Sequence, residues 1–314
     1  MQNNTIIIGS RASALALWQS EHIASQLQQL HPSINVEIKK IKTTGDIILD
    51  SPLSKIGDKG LFTKELDRAL LDGEIDLAVH SLKDVPTQLN EGLILGAITE
   101  REDVRDVFIS HPQKKYSTFN NVPLGGKIAT GSLRRKCQLL QHRPDLTIID
   151  IRGNLKTRKE KLDQSDWDGM LLAKAGVTRL GWASIISEVF SQTFILPAVG
   201  QGALGIEIRE SDSELQKLIA PLGHKETHQA TVGERALLRH LEGGCQIPIG
   251  TFGRIENGKF ILDAMVGSID GKRIVKGSVN GNPEDAEKLG TSLAKELLTK
   301  GAKEILEEIR KNSL

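Results

Sequence analysis

The chain has 314 residues, enough for roughly two or three domains, and its hydrophobic content of 39% and charged content of 26% are those of a globular protein. A net charge of +1 gives no bulk attraction to nucleic acid or to a membrane surface. Two cysteines exclude a disulfide framework. We find no signal peptide and no apolar run near the roughly 20 residues that span a bilayer, so we expect a cytoplasmic protein without a membrane partner.

The first hundred residues alternate between predicted strands and helices. Apolar spacing predicts one helix that Ser10 or Ser13 can cap and that ends at Pro32, and a second over Leu61–Leu71. The strands predicted around them are Thr5–Gly9, Asn35–Lys42, Asp76–His80 and Leu93–Thr99. Such alternation indicates a mostly parallel α/β sheet.

The segment Thr43–Gly60 connects a strand to a helix and contains three glycines, a proline and two lysines. Connections of this length are uncommon in a compact domain and are usually functional or disordered. We therefore predict a mobile lid over an active site, with a surface loop of no function as the alternative.

A second α/β run follows a charged connector. Its predicted helix runs from Ser132 to about Gln141, and its predicted strands are Asp106–Ser110, Lys127–Thr130, Thr147–Ile151, Gly169–Ala173 and Phe194–Leu196. The next predicted strand, Ala203–Arg209, returns to the first sheet. Two such domains facing a cleft resemble the architecture of periplasmic binding proteins.

The pattern changes after Pro221. Helices are predicted over Glu226–Leu241 and from Asn282 to about Gly301. The predicted strands are Thr251–Glu256, Lys259–Gly267 and Arg273–Val279, with two-residue hairpin signals at Asn257-Gly258 and Asp270-Gly271. We therefore predict one α/β domain from residues 1–99 and 200–220, a basic second one from 100–199, and a small C-terminal α+β domain, 221–314, with a three-stranded antiparallel sheet.

Basic residues are concentrated in the middle of the chain. Residues 101–195 hold 16 Lys and Arg against 10 Asp and Glu, whereas the whole chain holds 41 against 40. The arginines that follow predicted strands are Arg11, Arg134, Arg135, Arg152, Arg158 and Arg179. Guanidinium groups bind carboxylate or phosphate through two hydrogen bonds, so this recurrence predicts a polyanionic small molecule as ligand. Nucleic acid is the competing ligand, but aromatic residues make up only 4% of the chain, and no stacking residues are interleaved with Arg134, Arg152, Arg158 and Arg179.

Three further residues are candidates for chemistry. Lys83 and Asp84 follow a predicted strand, where ligands of open α/β sheets bind. Asp84 could act as a general acid and base, and Lys83 as a Schiff-base amine or an anion clamp; exposed turn residues are the alternative for both. Cys245 follows two glycines on a predicted loop, which exposes its thiol, although many single cysteines are chemically idle. No metal-ligand spacing is present.

Seven motifs in this order resemble the porphobilinogen deaminase (hydroxymethylbilane synthase) family. They cover nearly the whole chain: Ile8-Gly-Ser-Arg-Ala-Ser-Ala-Leu-Ala16, Lys59-Gly-Leu-Phe-Thr-Lys-Glu-Leu66, His80-Ser-Leu-Lys-Asp-Val-Pro86, Ser132-Leu-Arg-Arg135, Arg152-Gly-Asn154, Pro197-Ala-Val-Gly-Gln-Gly-Ala-Leu-Gly-Ile206 and Leu241-Glu-Gly-Gly-Cys245.

The resemblance implies a monomeric, cytoplasmic transferase of tetrapyrrole (porphyrin and heme) biosynthesis. Such an enzyme condenses four porphobilinogen molecules head to tail into hydroxymethylbilane and releases ammonia. It carries a dipyrromethane cofactor, made from its own substrate, on which the chain grows. The resemblance places that cofactor on Cys245 through a thioether.

The resemblance also implies roles for individual residues. Asp84 is the catalytic residue. The cofactor is bound by Ser81, Lys83, Asp84, Thr130, Ser132, Arg134 and Arg135. The substrate and the growing pyrrole chain are bound by Arg11, Ser13, Lys55, Lys59, Arg152, Arg158, Arg179 and Gln201. No metal is implied, and Cys137 has no role beyond its predicted helix.

Two other functions remain open from the residues alone. A non-enzymatic anion-binding module would use the two α/β domains but leaves Cys245 unexplained. A cysteine hydrolase would pair Cys245 with His240 or His80, but the sequence shows no partner to orient the histidine and no nucleophile elbow.

Overall fold

A computed structural model describes residues 5–47, 60–242 and 247–311 of the chain. Its strands are β1 (Thr5–Arg11), β2 (Asn35–Ile41), β3 (Leu77–Ser81), β4 (Leu93–Ile98), β5 (Asp106–Ser110), β6 (Lys127–Ala129), β7 (Thr147–Ile149), β8 (Gly169–Ala173), β9 (Glu188–Val189), β10 (Leu204–Arg209), β11 (Ile249–Glu256), β12 (Lys259–Gly267) and β13 (Ile274–Gly281). Its α-helices are α1 (Ala14–Leu30), α2 (Thr44–Ile47), α3 (Lys64–Leu71), α4 (Leu133–His142), α5 (Leu155–Asp163), α6 (Lys174–Arg179), α7 (Ser213–Ile219), α8 (Lys225–His240), α9 (Ala286–Leu297) and α10 (Lys303–Lys311).

The described residues fall into two compact units. One contains 5–47, 60–102 and 202–228, and the other contains 103–201, 229–242 and 247–311. Each unit therefore has a core of its own, and the second unit holds both the middle of the chain and its C-terminal sheet.

The first unit is built on a five-stranded sheet of order β2-β1-β3-β10-β4. β1 is parallel to β2 and β3, whereas β10 is antiparallel to β3 and β4. The predicted return of β10 to this sheet is thus confirmed. Helix α1 begins where the Ser13 side chain accepts a hydrogen bond from the Ala16 backbone, and its apolar face covers the sheet.

A sheet of the same design, in the order β7-β6-β8-β5-β9, organises the middle of the second unit. β6 is parallel to β7 and β8, and β5 is the antiparallel strand. The predicted strand Phe194–Leu196 is wrong, because the Phe194 and Ile195 amides both donate to Ser191 and form a turn. Phe194 stacks on Phe190 instead, so its apolar character serves core packing, and the edge strand is β9.

The C-terminal sheet has the order β11-β12-β13 and is antiparallel throughout. Asn257 and Gly258 both have positive φ, of 51° and 72°, and form the predicted two-residue turn. The second hairpin differs from the prediction, since its connection runs from Ser268 to Arg273, where Ser268 binds the backbone of both Gly271 and Arg273. With the two mixed sheets, this sheet confirms the predicted fold class; the predicted arrangement around a cleft stays a prediction.

Helix α4 packs tightly against the β12–β13 end of the C-terminal sheet. A Cβ atom on Gly271 would lie 2.4 Å from the Cys137 carbonyl oxygen, and one on Gly267 would lie 3.0 Å from its Sγ. Only glycine permits such an approach. Cys137 is buried in α4, and burial raises the pKa of its thiol to about 12.

No helix in the described ranges is long and apolar enough to cross a membrane.

A buried polar cluster in the first unit joins Asp67 of α3 to His80 of β3 and Glu207 of β10. His80 Nε2 lies 3.0 Å from the Glu207 carboxylate, and both side chains are inaccessible. Asp67, 6% exposed, accepts a 2.7 Å hydrogen bond from the Asn90 amide. Burial, together with the charge of Glu207, raises the pKa of Asp67 to about 6.

This raised pKa predicts a pH-dependent change in stability. The folded protein binds a proton at Asp67 more tightly than the unfolded chain, so stability falls as pH rises from about 4 to about 6. We expect Asp67→Asn to stabilise the first unit above pH 6, by on the order of 2 kcal/mol, and to have no such effect near pH 4. Urea unfolding of both proteins across this range measures the difference. Asp72→Asn, at the exposed end of the same helix, is the control, and a pH-independent effect of Asp67→Asn would contradict the assignment.

Candidate active site

The turn after β3 presents Lys83 and Asp84 at the carboxyl end of that strand. The turn is a 3₁₀ helix over Leu82–Asp84. Leu82 is buried, and its amide donates to the Ala203 carbonyl at 3.0 Å, while Val85 closes the turn and is buried as well. Two apolar anchors three residues apart thus leave the half-buried Lys83 and Asp84 on the other side of the turn. The predicted placement of both residues at a strand end is confirmed.

Ser81, the last residue of β3, is oriented by a neighbouring helix. Its hydroxyl oxygen accepts a 2.7 Å hydrogen bond from the Gln19 amide on α1. Because the oxygen accepts from Gln19, the hydroxyl proton remains available to donate to an anion. Gln19 is buried on the apolar face of α1, and that polar residue in an apolar stripe is the signal by which the sequence could have identified it.

Arg11 ends β1, at the same edge of the sheet as Ser81. The parallel register pairs Gly9 with Ala78, so β1 and β3 end at the same level. The Arg11 guanidinium lies 4.2 Å from the centre of the Phe62 ring. Ser13, two residues further on, caps α1. Phe62 is a second residue that the sequence analysis missed, and no periodicity identifies it.

The two ends of the predicted lid meet beside Phe62. The Gly45 amide donates to the Leu61 carbonyl at 3.0 Å, and a Cβ atom at Gly45 would lie 2.3 Å from the Phe62 ring. Residues 48–59, with Lys55 and Lys59, lie outside the described residues, so the predicted lid stays a prediction.

In the second unit, the three adjacent parallel strands β7, β6 and β8 end at one edge of the sheet. Arg152 follows β7 and Arg179 ends the helix that follows β8, and both are buried; Arg158 lies on α5, which begins just beyond Arg152. Between them, Thr130 accepts from the Ser132 amide, and Ser132 caps α4 by accepting from the Arg135 amide. The structure thus places Thr130, Ser132 and Arg152 at this edge, and Arg158 returns to it through a 2.8 Å hydrogen bond from its Nε to the Gly153 carbonyl. Arg179 lies one short helix beyond the edge, so its place among these residues stays a prediction.

Arg134 and Arg135 both pair with a single buried carboxylate. Arg134 Nη1 and Arg135 Nη2 each donate to Asp106 at 2.7 Å. Gln201 Nε2 donates to the same carboxylate at 3.0 Å and to the Val104 carbonyl at 2.7 Å. Although burial raises the pKa of Asp106, the two guanidiniums hold it well below its usual value. The sequence analysis treated Asp106 only as a strand residue and missed this contact.

Cys245 lies outside the described residues, between two well-packed flanks. Helix α8 ends at His240, and the following Leu241 is buried, with its carbonyl accepting a 3.1 Å hydrogen bond from Arg310. On the far side, the Pro248 carbonyl accepts from the Gly267 amide, and Ile249 is buried at the start of β11.

The described residues contain no cluster of three side chains that could hold a metal ion.

Comparison with known proteins identifies the family. "Porphobilinogen deaminase, dipyromethane cofactor binding domain" matches residues 6–217, and "Porphobilinogen deaminase, C-terminal domain" matches residues 229–299. The porphobilinogen deaminase of Chlorobium phaeobacteroides (strain BS1) is 54% identical, over 98% of both chains. That of Chloroherpeton thalassium is 55% identical, over 97% of this chain and 98% of its relative.

The chain belongs to the porphobilinogen deaminase family. This membership confirms the predicted enzyme class, a transferase of tetrapyrrole biosynthesis that polymerises porphobilinogen, and the predicted dipyrromethane cofactor.

Solved structures add little to this conclusion. The BenM effector-binding domain with benzoate has a TM-score of 0.42 at 13% identity, over 69% of this chain and 90% of that chain. The BvgS periplasmic VFT2 domain of Bordetella pertussis has a TM-score of 0.41 at 13% identity, over 69% and 86%. Similarity at this level supports no inference, and the fold class rests on the sheet topology.

The donor set of the second unit fits the cofactor of the porphobilinogen deaminase family. Each pyrrole ring carries an acetate and a propionate, so a dipyrromethane is a polyanion. The Nε atoms of Arg134 and Arg135 are buried and have no hydrogen-bond partner among the described residues. Unmade hydrogen bonds of buried groups are costly, and carboxylate oxygens would satisfy them.

The Arg11–Phe62 contact predicts a specific kinetic effect. Phe62→Leu keeps an apolar side chain beside Gly45 but removes the ring under the guanidinium, an interaction worth about 0.5–1 kcal/mol. If Arg11 binds a pyrrole carboxylate, we expect KM for porphobilinogen to rise by about two- to fivefold. Steady-state kinetics measure the effect. Phe252→Leu removes the equivalent ring under Arg254 in the C-terminal sheet and is the matched control; equal effects of both variants would contradict the assignment.

Proposed function

We propose that Asp84 is the catalytic residue of porphobilinogen condensation and that Cys245 holds the dipyrromethane cofactor through a thioether. The observation that carries the proposal is the turn at Leu82–Asp84, which fixes a carboxylate at a strand end between two buried anchors. A carboxylate held in this way stabilises a nearby cation without reorganisation. The chain that leads to Cys245 is anchored as far as Leu241, whose carbonyl accepts a hydrogen bond from Arg310.

The reaction requires a group that stabilises positive charge and moves protons. The carbon–nitrogen bond of the porphobilinogen aminomethyl group breaks, and ammonia leaves. The electron-poor methylene carbon then forms a carbon–carbon bond with the free α-carbon of the terminal pyrrole, which afterwards loses its α-proton. Asp84 protonates the leaving amine, stabilises the resulting cation and pyrrole nitrogens, and takes part in the final deprotonation. When bound, the cofactor supplies the first nucleophilic pyrrole carbon.

The cations and hydroxyl groups bind the carboxylates of the pyrroles. Cofactor binding is assigned to Ser81, Lys83, Asp84, Thr130, Ser132, Arg134 and Arg135. Chain binding is assigned to Arg11, Ser13, Lys55, Lys59, Arg152, Arg158, Arg179 and Gln201. Gln201 uses its amide nitrogen for Val104 and Asp106, so the assignment to chain binding would rest on its amide oxygen.

We also propose the predicted domain boundaries, with residues 1–99 and 200–220, 100–199, and 221–314 as the three domains. The enzyme acts as a cytoplasmic monomer, without a metal, a nucleic acid or a membrane partner. The two-cysteine composition and the near-neutral net charge support this proposal.

Neither alternative function is favoured by a specific contact. A cysteine hydrolase that used His80 would need an accessible imidazole, whereas His80 is buried against Glu207. A simple anion-binding module would not require the family's cofactor domain, which covers residues 6–217.

Replacing the cofactor cysteine tests the attachment. We expect wild-type protein to carry a covalent adduct of two pyrrole units and Cys245→Ser to lack it, because a serine hydroxyl is a poor substitute for a thiolate nucleophile. Intact-mass measurement detects the adduct. Cys137→Ser should keep it, since the Cys137 thiol is buried and has a pKa near 12. Unmodified but fully active wild-type protein would overturn the cofactor assignment.

Replacing the catalytic carboxylate tests the chemistry. We expect Asp84→Asn to retain the cofactor but to lose turnover by about 10²-fold or more, because the amide can neither transfer the proton nor stabilise the cation. The measurement is a single-turnover assay on cofactor-loaded protein. Turnover at the wild-type rate would exclude Asp84 as the catalytic residue.

A further inference from the structure

Asp106 occupies an unusual position for a carboxylate. It is the first residue of β5, is 0% exposed, and pairs in register with Ala173 at the carboxyl end of β8. It therefore lies at the edge of the sheet where the arginines are. Each of its oxygens accepts a guanidinium hydrogen bond, with Oδ2 bound by Arg134 and Oδ1 by Arg135.

These guanidiniums are tied to the backbone as well as to Asp106. Arg134 Nη1 also donates to the Leu196 carbonyl at 2.7 Å, and Arg135 Nη1 donates to the Leu171 carbonyl at 3.1 Å. Both residues are 5% exposed, so the surrounding protein atoms hold the two guanidiniums in place.

The charges in this cluster do not balance. Among the described residues, Asp106 is the one carboxylate within ion-pair distance of either guanidinium, so two cations face one anion. Burial of an uncompensated charge is costly, and burial indeed lowers the pKa of Arg134 from its usual value. The cluster thus needs a further anion to satisfy it.

We propose that Asp106 is a positioning residue for cofactor capture, and that Gln201 acts with it. Asp106 orients both guanidiniums and neutralises one of them, which leaves one positive charge for a carboxylate of the pyrrole cofactor. Gln201 fixes Asp106 in turn, because its amide nitrogen bridges the carboxylate and the Val104 carbonyl. Without Asp106, two buried cations would repel each other and lose their orientation. This inference rests on the proposed function, which supplies the carboxylate ligand.

The chain offers a matched control at the opposite end of β8. Asp168 precedes that strand, is 6% exposed, and accepts hydrogen bonds from the Lys127 amide, the Lys114 ammonium and the Tyr116 hydroxyl. Asp168→Asn therefore removes a buried, paired carboxylate from the same sheet without contact to Arg134 or Arg135.

The test compares Asp106→Asn, Gln201→Met and Asp168→Asn as full-length proteins. Intact mass gives the loaded fraction of folded protein. Titration of cofactor-free protein with porphobilinogen gives the concentration for half-maximal loading, and urea gives the unfolding midpoint. We expect that concentration to rise at least tenfold for Asp106→Asn and about threefold for Gln201→Met, whereas Asp168→Asn should lower only the unfolding midpoint.

Loading of Asp106→Asn at the wild-type concentration would overturn the positioning role. If Asp106→Asn does not fold, loading of Gln201→Met at the wild-type porphobilinogen concentration would equally overturn the positioning role. If cofactor loading instead falls in proportion to the unfolding midpoint in all three variants, Asp106 contributes only to stability, and the proposal is rejected. Wild-type protein without any adduct would instead overturn the proposed function itself.

Discussion

The pairing of one buried carboxylate with two guanidiniums is the interaction on which the second unit depends. Asp106 begins β5, whereas Arg134 and Arg135 lie in the first turn of α4, so the contact fixes that helix over the end of the sheet. The same helix packs through Cys137 against Gly267 and Gly271 of the C-terminal sheet. Removal of one partner from a buried ion pair typically costs about 3–5 kcal/mol.

The two units fix their polar residues at strand ends by different means. In the first unit, the buried apolar residues Leu82 and Val85 anchor a short turn, and the polar residues between them are only half-buried. In the second unit, the polar side chains are themselves buried, so they need partners of opposite charge or backbone carbonyls. The first arrangement suits a group that takes part in chemistry, and the second suits groups that bind charge.

Hydrogen bonds account for the one predicted strand that the structure lacks and for the one hairpin whose connection is longer than two residues. Phe194–Leu196 has strand-like composition, but the Leu196 carbonyl accepts hydrogen bonds from the side chains of Arg134 and Gln138. The amides of Phe194 and Ile195 donate to the Ser191 carbonyl instead of to a neighbouring strand. Likewise, the Ser268 hydroxyl accepts a hydrogen bond from the Arg273 amide, so the connection between β12 and β13 is longer than the two-residue turn that Asp270-Gly271 favours. Both contacts compete with regular ladder pairing, and neither can be read from local periodicity.

The sequence by itself determined most of the elements, the family and the types of chemical group at the strand ends. Hydrophobic periodicity and turn residues act over a few positions, so β1, α1, β12 and the Asn257-Gly258 turn could be predicted from neighbouring residues. Only the tertiary structure decided which residues share a partner. Gln19 with Ser81, Phe62 with Arg11, and Asp106 with two arginines join residues that are far apart in the chain, and such contacts depend on how sheets and helices pack. The charge count of the sequence shows that the middle of the chain is basic. Only the buried packing of the folded chain pairs one carboxylate, Asp106, with two arginines, Arg134 and Arg135.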